Sequence, residues 1–329
     1  MQADIRPFGQ SENRRIDALH LGTDALRVVI LTRGAVLQDV RLAGVDHSLT
    51  LGSDAPEAYD GPMRYFGALV GPVANRIGGA RALIGGRMCD FAANEGTTLL
   101  HGGTTGLHTR HWTIADASGT HARLTLGLDH GDDGFPGRRE ITAEFRVAGA
   151  MLTMTLTATT DAPTVMNLAN HSYWNLDGTP DTAGHRLRIA ADHYLPVDAQ
   201  TLPTGEVRAV SGAFDLRLGR VLDLTEGFDH NFCLADVPRA LAEVAELTGR
   251  SGLRMTLATT EPGLQVYDGA RLSTGTFAGH CGQACGPFAG IALEAQRWPD
   301  APNHPLFPSV ALMPDETYRQ ETCWSFRRG

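Results

Sequence analysis

Apolar and polar residues alternate along most of this chain. Residues 122–128 (ARLTLGL), 141–147 (ITAEFRV) and 151–159 (MLTMTLTAT) place apolar side chains at every second position. That is the period of a strand with one buried face. Residues 26–31 (LRVVIL) and 36–42 (VLQDVRL) also read as strands, parted by a turn over 32–35 that contains Gly34. Gly149-Ala150 stands between two alternating segments and predicts a hairpin. Further strands are predicted over 186–192, 253–260, 264–268 and 307–313, with glycines and prolines at the breaks.

Residues 240–248 (ALAEVAELT) have a helix-forming composition. A turn, Gly249-Arg250-Ser251-Gly252, and a clear strand follow, so we read this segment as a strand as well. There is no internal repeat and no low-complexity linker. The pattern predicts one all-β domain over residues 1–329, two large antiparallel sheets packed face to face with few short helices.

Charge narrows the partners. The 329 residues carry 37 acidic and 28 basic side chains, a net charge of −9, and no Lys/Arg-rich run. Nucleic acid and anionic membranes are therefore not expected partners. The five cysteines (Cys89, Cys233, Cys281, Cys285, Cys323) lack zinc-ribbon spacing. They read as free thiols of a reducing compartment. Cys281 and Cys285, with His280 nearby, offer too few soft ligands for a metal. Residues 1–10 have no apolar signal core, and no apolar run approaches the roughly twenty residues that cross a bilayer. The expectation is a soluble cytoplasmic protein, so the glycosylation sequon at Asn170-His171-Ser172 is discounted. No G-x-S-x-G elbow, P-loop, G-x-G-x-x-G or H-E-x-x-H is present, which removes the usual serine-hydrolase, nucleotide and zincin readings.

Candidate chemistry gathers in six places. In residues 290–326, Ile291-Ala292-Leu293 forms an apolar strand and Glu294 is expected where it emerges. A loop with Gln296, Trp298 and Asn303 follows, stiffened by prolines. Alone, such a glutamate reads as a surface residue. Asn75-Arg76, before a Gly-Gly turn, offers an amide and a planar fork of donors to sugar hydroxyls, or is simply a surface pair. His101 follows two leucines and precedes Gly102-Gly103, where a ligand can come close; a lone histidine after an apolar pair is more often a satisfied core residue. His108 and His111 are expected at the surface. His171 lies past a strand-like run and is followed by Tyr173, Trp174 and Asn175: a proton carrier beside flat rings and an amide. Asp229 heads a polar trio, and Gln265 and Tyr267 share a face by alternation.

Taken in order, GPVANRI, LHGG, NHSYWNL, DHNF, PGLQVY and LEAQRWPDAPNHPLFPS resemble the aldose 1-epimerase (galactose mutarotase) family over nearly the whole chain, from about Gly22 to Phe326. The resemblance implies a β-supersandwich with no metal and no cofactor. It implies His171 as general acid and Glu294 as general base. Arg76, His101 and Asp229 would hold sugar hydroxyls, with Asn75 and Gln265 as further contacts. Pro72, Ser172, Trp174 and Trp298 depart from the usual residues, which by the same likeness touches the sugar-facing wall.

The implied partner is a free monosaccharide; monomer and homodimer both remain open. Ring opening needs a proton removed from O1 and one delivered to O5, and closeness of His171 and Glu294 is expected to favour their charged forms. Three rivals stand beside this. A hexose-6-phosphate 1-epimerase would use some of Arg64, Arg81, Arg87, Arg110 and Arg297. A glycosidase would pair Asp229 with Glu294. A non-catalytic sugar-binding sandwich would use the aromatics and amides alone.

Overall fold

A computed structural model describes residues 3–329. Nine antiparallel strands make the larger sheet, in the order Thr113–Ala117, His121–Leu128, Arg139–Ala148, Met151–Thr160, Tyr318–Arg327, Arg254–Thr259, Ala242–Thr248, Arg186–Ile189 and Arg220–Val221. Alternation explains its packing. Leu152, Met154, Leu156 and Ala158 point inward from one strand, and Ile141, Ala143, Phe145 and Trp324 meet them from its neighbours. Residues 242–248 form the strand expected there, paired with Arg254–Thr259.

A six-stranded sheet lies against that core, in the order Tyr173–Trp174, Ile291–Gln296, Gly263–Tyr267, Asp229–Cys233, His193–Tyr194 and Arg208–Ala209. Phe232, Leu264, Val266, Ile291, Leu293 and Ala295 close the shared core from this side. The strand Ile291–Gln296 is buried at every position. Its odd residues face the core, and its even residues, Ala292, Glu294 and Gln296, face a second layer of short strands and loops.

Two expectations need correction. Glu294 does not sit where its strand emerges; it lies inside Ile291–Gln296, hydrogen-bonded in register to Gly263–Tyr267. Of residues 307–313, only Ala311–Leu312 is strand, paired with Thr164–Val165. A four-stranded sheet built from Asp4–Ser11, Arg14–Gly22, Leu26–Leu31 and Leu37–Leu42 adds two N-terminal strands that the pattern did not reveal. Among the described residues, helical structure is confined to six short 3₁₀ turns.

Candidate active site

Residues directly opposed in an antiparallel ladder project from the same face. The registers Asp229↔Tyr267↔Ala292↔Tyr173 and Asn231↔Gln265↔Glu294 therefore set these side chains on one face of the six-stranded sheet. That face is the floor of the site.

The opposite wall comes from Asn75-Arg76 and His101. Asn75 and His101 both have left-handed backbone, φ 60° and 51°, which Asn and His adopt more readily than most residues. They lock each other. The His101 N–H donates to the Asn75 carbonyl at 2.9 Å, and the Asn75 N–H donates to His101 Nδ1 at 3.1 Å. Asn75 Oδ1 accepts from the Arg76 N–H at 2.9 Å. Gly102, at φ 79°, makes the turn possible, since a Cβ there would collide with the Gly71 carbonyl.

Between floor and wall lies a cavity of about 190 Å³. Asn75, Arg76, His101, His171, Asp229 and Glu294 all line it. At its base His171 Nε2 stands 3.6 Å from Glu294 Oε1, and both residues are buried. Rings surround the imidazole: Tyr173 at 5.0 Å, His101 at 5.1 Å and Tyr65 at 6.0 Å between centroids. Arg76 is clamped by Glu95 at 2.5 and 3.0 Å and approaches Asp229 Oδ2 at 3.6 Å. Gln265 is not in direct contact with the cavity; its Nε2 donates to Asp229 Oδ1 at 2.7 Å.

Burial governs the charges. It lowers the His171 imidazole to about 4. It pushes Glu294 well above the usual carboxyl range, helped by the negative Asp229 and opposed by Arg76. The expectation that closeness favours both charged forms is thus reversed for the empty cavity: losing water costs each charge more than the partner returns. The ion pair and the neutral pair differ only in where one proton sits. Burial also raises Asp229, against the pull of Arg76 and the Gln265 N–H.

His101, His171 and Glu294 bring ligand atoms within 4.8 Å of one another, which invites the question of a metal. His101 does not suit one. Its Nδ1 accepts the Asn75 N–H, so Nε2 carries the ring proton and presents a donor rather than a lone pair. The arrangement fits a hydrogen bond to a sugar oxygen.

Several other expectations change. His108 is buried rather than at the surface, its ring 4.7 Å from Tyr65; His111 is half-buried. Trp174 is a core residue against Trp324 and Phe326. Trp298 packs with Val73, Ile77 and Leu99, its indole N–H donating to the Pro262 carbonyl at 3.0 Å. Asn175 bonds the carbonyls of Thr179 and Ala289. None of these three lines the cavity, so the replacements at 174 and 298 do not touch its wall. Tyr65, Glu95 and Arg271 do line it and were not anticipated. Glu95 sits in a polar turn like many others; only its bond to Arg76 distinguishes it.

Comparison with known proteins identifies the family of the whole chain. A model of the family described as aldose 1-epimerase matches residues 17–324. Galactose mutarotase of Bos taurus is 37% identical over 325 residues, covering 94% of both chains. Aldose 1-epimerase of Escherichia coli is 33% identical over 323 residues, covering 91% of both. Among solved structures, an aldose epimerase homologue from C. elegans superposes with a TM-score of 0.88 at 28% identity, covering 94% of this chain and 98% of that one. Galactose 1-epimerase from Lactobacillus acidophilus gives 0.86 at 27% identity, covering 100% and 99%.

Proposed function

This chain belongs to the aldose 1-epimerase family and interconverts the α and β anomers of a free aldose; from that premise we propose that His171 and Glu294 carry the chemistry as a pair sharing one mobile proton. The observation that supports this is their 3.6 Å approach at the base of a cavity of monosaccharide scale.

The reaction begins from the tautomer with an imidazolium and a carboxylate. Glu294 takes the proton of the O1 hydroxyl while His171 Nε2 delivers its proton to ring O5. The C1–O5 bond breaks and C1 becomes an aldehyde carbon. The pair is now neutral, the state that burial favours, so the opened sugar is accompanied by relaxed catalytic groups. Rotation about C1–C2 presents the other face of the carbonyl. O5 then attacks C1, His171 recovers the O5 proton and Glu294 returns its proton to O1. Two groups at roughly 10² to 10⁴ each, with positioning added, suffice for a reaction already feasible in water.

The remaining residues bind. Arg76 and Asn75 would donate to hydroxyls, His101 would donate from Nε2, Asp229 would accept, and Gln265 would support Asp229. Tyr173 and Tyr267 supply apolar faces for C–H groups. The hexose-6-phosphate reading is not favoured. Arg64, Arg81, Arg87, Arg110 and Arg297 lie off the cavity, and its two guanidiniums, Arg76 and Arg271, share it with Glu95, Asp229 and Glu294. Phosphate would find no surplus positive charge there.

The single-domain reading over 1–329 is supported by the sheets' common core, residues 1 and 2 lying outside the described part. A cytoplasmic site of action is part of the same proposal; all five thiols are free. Among the described residues no helix is long and apolar enough to cross a membrane. Polarimetry on freshly dissolved α-D-galactose and α-D-glucose tests the mechanism. His171→Asn and Glu294→Gln are expected to lose roughly two orders of magnitude or more in turnover while remaining folded. Wild-type rates from both would end the assignment.

A further inference from the structure

Gln265 and Glu294 oppose each other directly across two neighbouring strands, and both are buried. The amide of Gln265 has one orientation, because the Asp229 carboxylate beside Arg76 offers only acceptors and takes its Nε2–H at 2.7 Å. Oε1 of Gln265 is thereby turned away from Asp229, and no donor reaches it. Across the register, Oε2 of Glu294 is also a buried acceptor without a donor. Two such oxygens on facing side chains are a double deficit, since an unsatisfied buried polar atom is costly. A single proton on Oε2 of Glu294 answers both.

We propose that Gln265 is a positioning residue: in the sugar-free site its carbonyl oxygen accepts a hydrogen bond from Oε2–H of Glu294 and holds that group as the carboxylic acid. The proposal rests on the reading of Glu294 as the proton acceptor, and it adds a second task for an amide otherwise assigned to sugar binding. The other groups around Glu294 are consistent with it. His171 and His101 are buried and pushed toward their neutral forms. Asp229 of the strand beside Gln265 adds negative potential, Arg76 from the facing wall adds positive, and Tyr173 and Tyr267 stay phenolic. Glu95 and Arg271 stand farther out, around Arg76 and Asp229.

Sugar binding undoes the arrangement. A hydroxyl donating to Asp229, which does line the cavity, displaces the Gln265 Nε2–H from that carboxylate, and the released amide no longer holds the Glu294 proton. The carboxyl group, no longer held through Oε2, can carry its proton on Oε1 instead and pass it to His171 Nε2, 3.6 Å away, so the imidazolium–carboxylate form needed for ring opening appears with the substrate.

Infrared difference spectra of the whole protein test this. The expected signal is a carboxylic-acid C=O band in the sugar-free wild type at neutral pH, absent from Glu294→Gln and diminished when galactose is added. In Gln265→Met the band should titrate away about one pH unit lower, a tenfold change in proton affinity, the worth of one hydrogen bond. The alkaline limb of kcat/KM, which reports the free enzyme, should move by the same amount. Gln265→Asn, which keeps the amide but withdraws it by one methylene, should shift in the same direction if the methionine variant fails to fold. No acid band in the wild type, or a band that titrates identically in the variants while only KM rises, would overturn the proposal. The infrared signal does not depend on turnover, so its failure is separate from a failure of the anomerase reading, which would appear as no polarimetric rate in the wild type.

Discussion

Arg76 and Glu95 are joined by two hydrogen bonds, of 2.5 and 3.0 Å, so that the guanidinium is held edge-on and its remaining nitrogen turns toward Asp229. Arg76 is buried, whereas the Glu95 side chain is 40% exposed, so the clamp is applied from the rim. Glu95→Gln should leave the chemistry intact and loosen sugar binding. We expect KM to rise about three- to tenfold with kcat changed less than about twofold, measured by initial-rate polarimetry across sugar concentrations. Equal losses in kcat and kcat/KM would place Glu95 in the transition state instead.

The shared proton fixes the shape of the pH profile. Burial holds His171 near 4, below its ordinary value, so above that pH the pair carries one proton between its two members. Below about 4 a second proton enters, and Glu294 and His171 are then both protonated with no base left. Glu294 is raised, so the pair loses its last proton only well above the usual carboxyl range. We expect kcat/KM to be flat across neutral pH, to fall below about 4, and to fall again on the alkaline side. An acid limb near the ordinary histidine value would contradict the burial argument.

Glu261 predicts a pH dependence of stability rather than of activity. It is fully buried, neither carboxyl oxygen has a hydrogen-bond partner, and burial raises it to about 7, only partly opposed by Arg297. The folded protein thus binds this proton more tightly than the unfolded chain, whose carboxyl titrates at its ordinary 4.5. Between about 4.5 and about 7 this group makes stability fall as pH rises, by about 1.4 kcal/mol per unit. Glu261→Gln should flatten that slope, read from urea midpoints at several pH values. An unchanged slope would mean that Glu261 finds a partner.

Gly102→Ala should damage both fold and site. The residue has φ 79°, and an added methyl would meet the Gly71 carbonyl. A loss of about 2 kcal/mol or more is expected from the denaturation midpoint. Because the neighbouring His101 is held by Asn75 through two hydrogen bonds, the displaced turn should also raise KM. Gly86→Ala is the control: also at positive φ but with open space around it, it should cost only the backbone term.

How much of this could be read from the chain depended on burial. Met151–Thr160 was legible because one face is buried and the other is not, which writes alternation into the sequence. Asp4–Ser11 was not, because it is a mostly exposed strand whose register slips between Pro7 and Gly9. The position of Glu294 within its strand is not legible for the opposite reason: the strand is covered on both faces, so no polar break marks where it ends. In the site, His171 and Tyr173 of NHSYWNL and Asp229 of DHNF come to the cavity, whereas Trp174 and Asn175 of the same run serve the core and a loop. Tyr65, Glu95 and Arg271 come from segments with no chemical signature of their own, and their meaning arises from loops that meet only in the folded chain.

The strand Ile291–Gln296 joins two jobs that engineering would prefer to keep apart. Its odd residues belong to the oil of the sandwich, and one of its even residues is the proposed base. Sugar preference can be redrawn at the cavity rim, around Glu95 and Arg271, without disturbing either. Any attempt to retune the base by repacking beneath it, at Leu293 or Ala295, alters the keel of the molecule at the same stroke. Directed evolution of this scaffold is therefore expected to accumulate its changes in the rim loops and to leave this one strand alone.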